Sequence, residues 1–352
     1  MKLIDIHQAN VFGLGAQKFI VGLIREIQNC SDTTIDNVYL NRVFPRETYS
    51  GNHRFIYVGY YLGFFSRLVE IFFWRFFRKS KNEMLVLGDL PLNTPVKQYV
   101  LCHQSLIFKE FSKTSIQFYK FWLFRFIFKL FLKKNDIVLV QTEEMAKKIR
   151  VHIGFNVNVR LVDFGSNHFG WPQFIRRRRK ISSKTPNRFR VVYPSASYPH
   201  KNHYLLNLIM FDKETEIFLT VTKDEFVSHN PSLTNIGQVP REHVFDLYKE
   251  VDALLFLSSN ESLGLPILEA IKCNLPIICP YAEYTGHLNA DNCFFFEIND
   301  PSSLEEAIVQ ASKKISAGWW PDWSFDEVTS KVSRALVEDI LLDGADNQQV
   351  NK

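Results

Sequence analysis

Two glutamates and a lysine are the residues whose types and spacing could do chemistry in this chain. Glu261 and Glu269 stand eight positions apart in DALLFLSSNESLGLPILEAIKCNLPIICP (252–280), and Lys201 follows a Pro-His turn in YPSASYPHKNH (193–203). DALLFLSS reads as a buried strand, NESLG as the turn at its carboxyl end, and Pro266 as the start of a helix that stops near Asn274. The N–H groups of Gly264 and Leu265 then lie at a helix N-terminus, a natural seat for a phosphate, and Gly264 leaves room for close approach. A phosphate there would have Glu261 toward a sugar on one side and Glu269 toward a ribose diol on the other. One carboxylate can accept hydrogen bonds from two adjacent hydroxyls.

Other residues are less specific. His103 closes the strand QYVLCH (98–103) at a carboxyl end, where ligands of α/β sheets bind. Gly13 and Gly15 lie in the turn NVFGLG (10–15), and the pattern lacks the third glycine of a dinucleotide loop. Plainer readings exist for each: a solvated helix face for Glu269, an exposed loop for Lys201, a structural histidine at 103 and a tight turn at 13–15.

The elements that must position these residues are short apolar runs alternating with helical patterns. LIDIH (3–7), MLVLGD (84–89), QYVLCH and DIVLVQT (136–142) read as buried parallel strands, and QKFIVGLIREI (17–27) carries a helical stripe at Phe19, Ile20, Leu23, Ile24 and Ile27. A second set begins at RFRVVYPS (188–195) and continues through EIFLTV (216–221), DALLFLSS and LPIICP (275–280). Asp300-Pro301 caps a helix with Leu304, Ile308, Ala311 and Ile315 on one face, and Ser324 with Glu327 makes a capping box for a last helix. The expected organisation is two domains, 1–165 and 188–321, joined by a linker at 166–187 that holds the basic run Arg176 to Lys180. A terminal helix at 322–345 follows. Two doubly wound α/β domains would place a cleft between the carboxyl ends of their sheets.

The block SSNESLGLPILEA resembles the signature of the retaining glycosyltransferases of family 4. The resemblance extends over IGQVPREHVFDLYKEVDALLFLSSNESLGLPILEA (236–270), covers nearly all of the second domain and runs more weakly through the whole chain. It implies a GT-B fold and metal-independent use of a nucleotide sugar, with retention of anomeric configuration. Carried over residue by residue, it implies that Lys201 binds the donor phosphate. Glu261 orients the sugar hydroxyls or stabilises an oxocarbenium-like state, and His103 lies near the donor sugar. Glu269, Ser262, Gly264, Leu265, Val239 of the glycine-valine loop, and Gly15 of the amino-terminal glycine loop contact the donor. The family's arginine shortly before the lysine is missing from 193–200. The second cation on the diphosphate must come from elsewhere, with Arg241 one candidate, or be replaced by backbone N–H groups. The glycine loop here is Gly-Leu-Gly where adjacent glycines are common. In the family the carboxyl-terminal helix returns to the first domain, which would make WWPDWS (319–324) the crossing.

Composition narrows the partners. The 352 residues carry 42 Lys+Arg against 37 Asp+Glu, a net +5 that argues no nucleic-acid partner. The five cysteines are scattered without a Cys-x-x-Cys pair, so neither a zinc site nor a disulfide framework is expected, and a reducing compartment fits. No signal peptide is visible at MKLIDIHQAN, and no run of ~18 uncharged apolar residues exists. Phe is in excess: of 32, 15 fall between Phe55 and Phe131, about twice the share expected from length. They crowd FFSRLVEIFFWRFFRKSK (64–81) and FYKFWLFRFIFKLFLKK (118–134), each interrupted by Arg and Lys. Such basic aromatic helices suit an anionic membrane surface; the other reading is two core helices with snorkelling cations.

The resulting expectation is a cytoplasmic enzyme, peripheral at the inner face of the membrane. It would move a hexose from a UDP- or GDP-linked sugar to a glycan or polyprenyl-diphosphate-linked acceptor in surface-polysaccharide or O-antigen synthesis, with no cofactor and no metal. Alternatives are a GT-B-like sugar-nucleotide epimerase and a non-catalytic membrane-surface binding protein.

Overall fold

A computed structural model describes residues 2–9, 20–28, 33–40, 53–58, 64–77, 80–162 and 188–323, except 22, 25, 26, 213, 223, 229, 262, 263 and 287. Gly13, Gly15, Ser262, the run 176–180 and the last helix expected from Ser324 lie outside these residues. The chain forms two compact units, whose described parts are 2–162 and 188–323.

Among the described residues the first unit carries a seven-stranded parallel sheet. Its strands are β1 (Lys2–His7), β2 (Thr33–Leu40), β3 (Arg54–Tyr57), β4 (Glu83–Val86), β5 (Gln98–Leu101), β6 (Ile137–Val140) and β7 (Val159–Leu161), in the order β3-β2-β1-β4-β5-β6-β7. The helices are α1 (Phe64–Phe77), α2 (Ile116–Phe131) and α3 (Glu143–His152). The central strands are mostly apolar because both faces are covered, with Asp5, His7 and Gln98 as buried polar exceptions. Ile4, Ile6, Leu85 and Leu101 face one cluster with Ile20, Leu23, Ile24 and Ile27 of the amino-terminal stripe. Met84, Val86, Val100 and Val138 face another with Trp74, Phe124 and Phe128 from α1 and α2. Burial of each such side chain contributes about 1.5–3 kcal/mol. Thr142 caps α3, accepting from the Met145 N–H, with Glu143 and Glu144 in its first turn and Arg150 and His152 in its last, as the helix dipole favours.

The second unit carries a six-stranded parallel sheet among its described residues. It is built from β8 (Phe189–Tyr193), β9 (Thr215–Leu219), β10 (Leu233–Asn235), β11 (Ala253–Leu255), β12 (Ile277–Pro280) and β13 (Cys293–Phe296), in the order β10-β9-β8-β11-β12-β13. The helices are α4 (Arg241–Glu250), α5 (Leu265–Lys272) and α6 (Pro301–Ser316). Asp300 caps α6 as expected, accepting from the N–H groups of Ser302 and Ser303, and Leu304, Ile308, Ala311 and Ile315 are buried. Two expectations shift. The strand in DALLFLSS is laddered only over Ala253–Leu255, and α5 begins at Leu265, with Pro266 at its second position. Of WWPDWS, Trp319 packs edge-on to Phe294 at 5.3 Å, and Trp323 donates its indole N–H to the Leu275 carbonyl at 2.8 Å. These contacts hold the segment up to 323 on the second unit.

In both units the chain builds one side of the sheet, then crosses the first strand to build the other. The order therefore reverses between β1 and β4, and again between β8 and β11. The carboxyl ends at such a switch point are where doubly wound sheets bind ligands.

Candidate functional site

The switch point of the second unit brings Lys201 and Glu261 together. The chain leaves β8 at Tyr193 and turns through a 3-10 turn, Pro199–Lys201, into Asn202 in the left-handed region at φ 52. Asparagine tolerates that conformation better than most residues. Its side chain donates to the Leu257 carbonyl at 2.8 Å, the buried Tyr193 hydroxyl donates to the Lys201 carbonyl at 2.6 Å, and the Ser259 N–H donates to the His200 carbonyl at 2.8 Å. The loop after β8 is thereby fastened to the extension of β11. On this frame the Lys201 ammonium forms an ion pair with the Glu261 carboxylate and lies 5.3 Å from the centre of the Phe256 ring. Both charged side chains are about 15% exposed, enough for a ligand to reach them.

Gly264 follows in the left-handed region at φ 68 and opens α5. A Cβ there would stand 3.3 Å from Ile267 Cδ1, so the position suits glycine by both backbone and space. Leu265 is half-buried at the first turn, where the helix offers N–H groups without intrahelical partners. Glu269 lies inside the helix and is buried, accepting from the Tyr248 hydroxyl of α4 at 3.0 Å. Burial, then the charge of Glu269, pushes the Cys273 thiol up to about 12, so this neighbour stays neutral. The hydroxyls of Tyr193 and Tyr284 are raised by burial, Glu261 adding to both, and remain protonated. Tyr284 donates to the Ser258 carbonyl at 2.5 Å and closes the turn from the β12 side. The arrangement offers one cation, one accessible carboxylate, a helix N-terminus and a held carboxylate, a set that matches a diphosphate flanked by hydroxyl-bearing groups.

Val239 is half-buried in the loop before α4, and Arg241 is the first residue of that helix. His103 belongs to the first unit, two residues past β5, with Nδ1 3.1 Å from Asp89 Oδ1. Among the described residues, no group of three or more His, Cys, Asp and Glu gathers as metal ligands would. Asn202 and Tyr248 went unread in the sequence. A buried tyrosine needs a partner for its hydroxyl, and that is the signal by which Tyr248 could have been found.

His203, next to Asn202, gives the site a pH dependence. It is buried, its ring lies 4.7 Å from that of Tyr193 and 5.7 Å from that of Phe226, and neither ring nitrogen is hydrogen-bonded. Burial and then the Lys201 charge lower its pKa from 6.5 to about 4, with Glu225 opposing. The folded state binds this proton less tightly than the unfolded chain, so the stability contribution is complete above pH 6.5 and is lost as pH falls toward 4. The loss amounts to at most about 3 kcal/mol. Urea midpoints measured over that range should fall in the wild type and fall less in His203→Phe; parallel curves would refute the assignment.

The family-model match falls within this unit. Residues 181–314 match the family model described as glycosyl transferases group 1. O-antigen chain mannosyltransferase B of Escherichia coli is 30% identical over 76 residues, 22% of this chain and 20% of that protein. O-antigen chain mannosyltransferase RfbU of Salmonella typhimurium is 22% identical over 232 residues, 61% of this chain and 63% of that protein. The chain thus spans less than two thirds of the length of either. Anabaena Alr3699/HepE, solved in complex with UDP and glucose, superposes with a TM-score of 0.63 over 99% of this chain and 100% of its own, at 12% identity, which shows the fold.

Proposed function

We propose, from the match of residues 181–314 to the model described as glycosyl transferases group 1, that the chain transfers a hexose from a UDP- or GDP-linked sugar to a glycan acceptor with retention of configuration. The observation that carries the reading is the Lys201–Glu261 pair, set at the switch point beside the N-terminus of α5. Lys201 and the helix N-terminus would stabilise charge that grows on the departing diphosphate as the glycosidic bond breaks. Glu261 would exchange its contact with Lys201 for the sugar hydroxyls or an oxocarbenium-like state, and Glu269 would hold the ribose diol. No residue of the set needs a metal for these tasks. The O-antigen mannosyltransferases among the relatives support a place in surface-polysaccharide synthesis. A mass-spectrometric screen of UDP- and GDP-hexoses against a polyprenyl-diphosphate-linked glycan tests the reading, with the product anomer assigned by NMR. Transfer with the donor's configuration is expected. An inverted product would overturn retention, and no transfer from any donor would overturn the activity.

A lipid-linked acceptor and a site of action at the inner face of the cytoplasmic membrane are supported by α1 and α2. Each buries one face, Ile71 and Trp74 in α1, and Phe121, Phe124, Ile127 and Phe128 in α2. Each also exposes large apolar groups on another: Phe65 and Phe76 at 68%, Trp122 at 55%, with Tyr119, Phe126 and Leu130. The core reading and the surface reading therefore describe opposite faces of the same helices. Exposed Arg75, Lys120 and Lys129 among the aromatics suit an anionic leaflet. Among the described residues no helix is long and apolar enough to cross a membrane. Phe76→Ser with Trp122→Ser should lower affinity for phosphatidylglycerol-containing vesicles by at least about tenfold without loss of thermal stability, because the lost groups are exposed. Unchanged vesicle cosedimentation would remove the membrane from the account.

A further inference from the structure

Four polar side chains meet in the first unit where β1, β2 and the start of β4 adjoin, toward the amino end of the sheet and away from its switch-point edge. β1 and β2 pair as Ile4 with Ile35 and then as Ile6 with Val38, so Asp36 and Asn37 of β2 stand opposite the single residue Asp5. A bulge of this kind re-aims side chains and takes backbone groups out of the ladder. Here the Asn37 N–H donates to Asp5 Oδ1 at 3.3 Å instead. Asn82, immediately before β4, reaches in from the other neighbour of β1.

The Asn37 Nδ2 donates to Asp5 Oδ1 at 2.9 Å and to Asp36 Oδ2 at 2.9 Å. The Asn82 Nδ2 donates to the same two oxygens, at 2.9 and 2.8 Å. Two carboxylates are thus bridged twice, and the four atoms close a ring. The bridges supply hydrogen bonds but no opposite charge. Asp5 is fully buried, and its second oxygen, Oδ2, has no hydrogen-bond partner among the described residues. Neither Asp5 nor Asp36 forms an ion pair with a described Lys or Arg, and Lys2 of the same strand is held by Glu83 at 2.7 Å. Buried carboxylates are normally paired with a cation or bound to a metal.

The ring dimensions select the ion. A half-turn of each amide about Cβ–Cγ places Oδ1 where Nδ2 stands and makes all four corners oxygen. Taken as a square with edges of 2.8–2.9 Å, the ring has each corner about 2.0–2.1 Å from its centre. That is the bond length of Mg2+, and it is shorter than the roughly 2.3–2.6 Å of Ca2+. Asp36 is exposed and Asn37 and Asn82 are half-buried, so an ion can enter from solvent.

We propose that Asp5, Asp36, Asn37 and Asn82 form a Mg2+ site in the first unit, each side chain giving one oxygen and water completing an octahedron. Asp5 Oδ2 accepts from one of those waters and so gains a partner. The ion ties β2 and β4 to β1 and acts on the stability of the unit, apart from the donor site and independently of the proposed function.

The test uses the full chain stripped of metal with EDTA and desalted, with neither nucleotide nor sugar present. Mn2+, which takes the same octahedral oxygen ligands, is the probe, and the EPR signal of the free ion reports its binding. The wild type should bind one Mn2+ per chain, displaced at least about tenfold more effectively by Mg2+ than by Ca2+ at equal ionic strength. Asp36→Asn changes an exposed position, so the fold is kept while one charged ligand is lost. It should weaken Mn2+ by at least about tenfold. Saturating Mg2+ should raise the Tm of the wild type by at least about 2 °C and that of Asp36→Asn by less than half as much. No Mn2+ bound at millimolar concentration, equal Mn2+ affinity in Asp36→Asn, or displacement by Ca2+ as readily as by Mg2+ would overturn the inference.

Discussion

Lys201→Met should lower kcat/KM for sugar transfer by about 10²–10³ while the protein stays folded. The ammonium is the described cation at the switch point, and removing one preorganised donor of charge stabilisation costs about 2.7–4 kcal/mol in the transition state. The same substitution leaves the Glu261 carboxylate without its ion-pair partner. Glu261 is mostly buried but still reaches water, so that loss lies between the value of an exposed pair, about 1 kcal/mol, and that of a buried one, about 3–5 kcal/mol. Methionine keeps an apolar stem beside Phe256, and the loop remains tied by Tyr193, Asn202 and Ser259, whose bonds to it do not use the ammonium. The catalytic effect and the structural one are thus of comparable size. Steady-state kinetics paired with urea unfolding separates them. Turnover within a few-fold of wild type would remove Lys201 from the mechanism; turnover lost together with the unfolding transition would make it structural.

Glu269→Ala should raise the dissociation constant for the nucleoside diphosphate by about 10- to 100-fold, the effect of losing hydrogen bonds to a charged acceptor. Glu269 is nearly buried and held by the Tyr248 hydroxyl, so the carboxylate is preorganised before a ligand arrives. The alanine leaves the Tyr248 hydroxyl buried without that acceptor, at about 1–3 kcal/mol of stability. Tyr248→Phe, made alongside, reports the same loss of preorganisation with the carboxylate still in place. The ribose assignment is checked by calorimetry with UDP and 2′-deoxy-UDP. Wild type should prefer the ribose form, and Glu269→Ala should bind both about equally weakly. An alanine variant that weakens both ligands by the same factor, with the preference intact, would place Glu269 away from the ribose.

Much of this was legible in the residues. The strand–turn–helix reading of 252–280, the cap at Asp300 and the apolar central strands follow from local pattern, and the structure has them. The strands at and next to the sheet edges were not read, for physical reasons. β2 interrupts its apolar run with Asp36 and Asn37, whose side chains bond Asn82 and Asp5 across the sheet. β3 is a half-exposed edge strand beginning with Arg54, and β7 and β10 are three-residue edges with no buried side chain. β13 is the plain apolar run Cys293–Phe296, passed over because four residues alone do not distinguish strand from helix. The contact of Lys201 with Glu261, 60 positions apart, depends on β8 lying beside β11. Strand adjacency across a crossover is a property of topology that no periodicity encodes. Asp89 is the clearest case: nothing in GDL announces its φ of 67, and only the backbone N–H groups of His103 and Gln104 that its carboxylate serves explain it. The two aromatic segments were ambiguous because the helices bury one aromatic face and expose another, so a count of Phe could not choose between core and surface.

The measurement that bears most directly on the central claim is isothermal titration of UDP and GDP into the full-length protein and into Lys201→Met. A site made of Lys201, Glu261, the α5 N-terminus and Glu269 should bind at least one of the two at a single site, with Lys201→Met at least about tenfold weaker under the same salt. No binding of either nucleotide to the folded wild type, or equal affinity in the variant, would contradict the account.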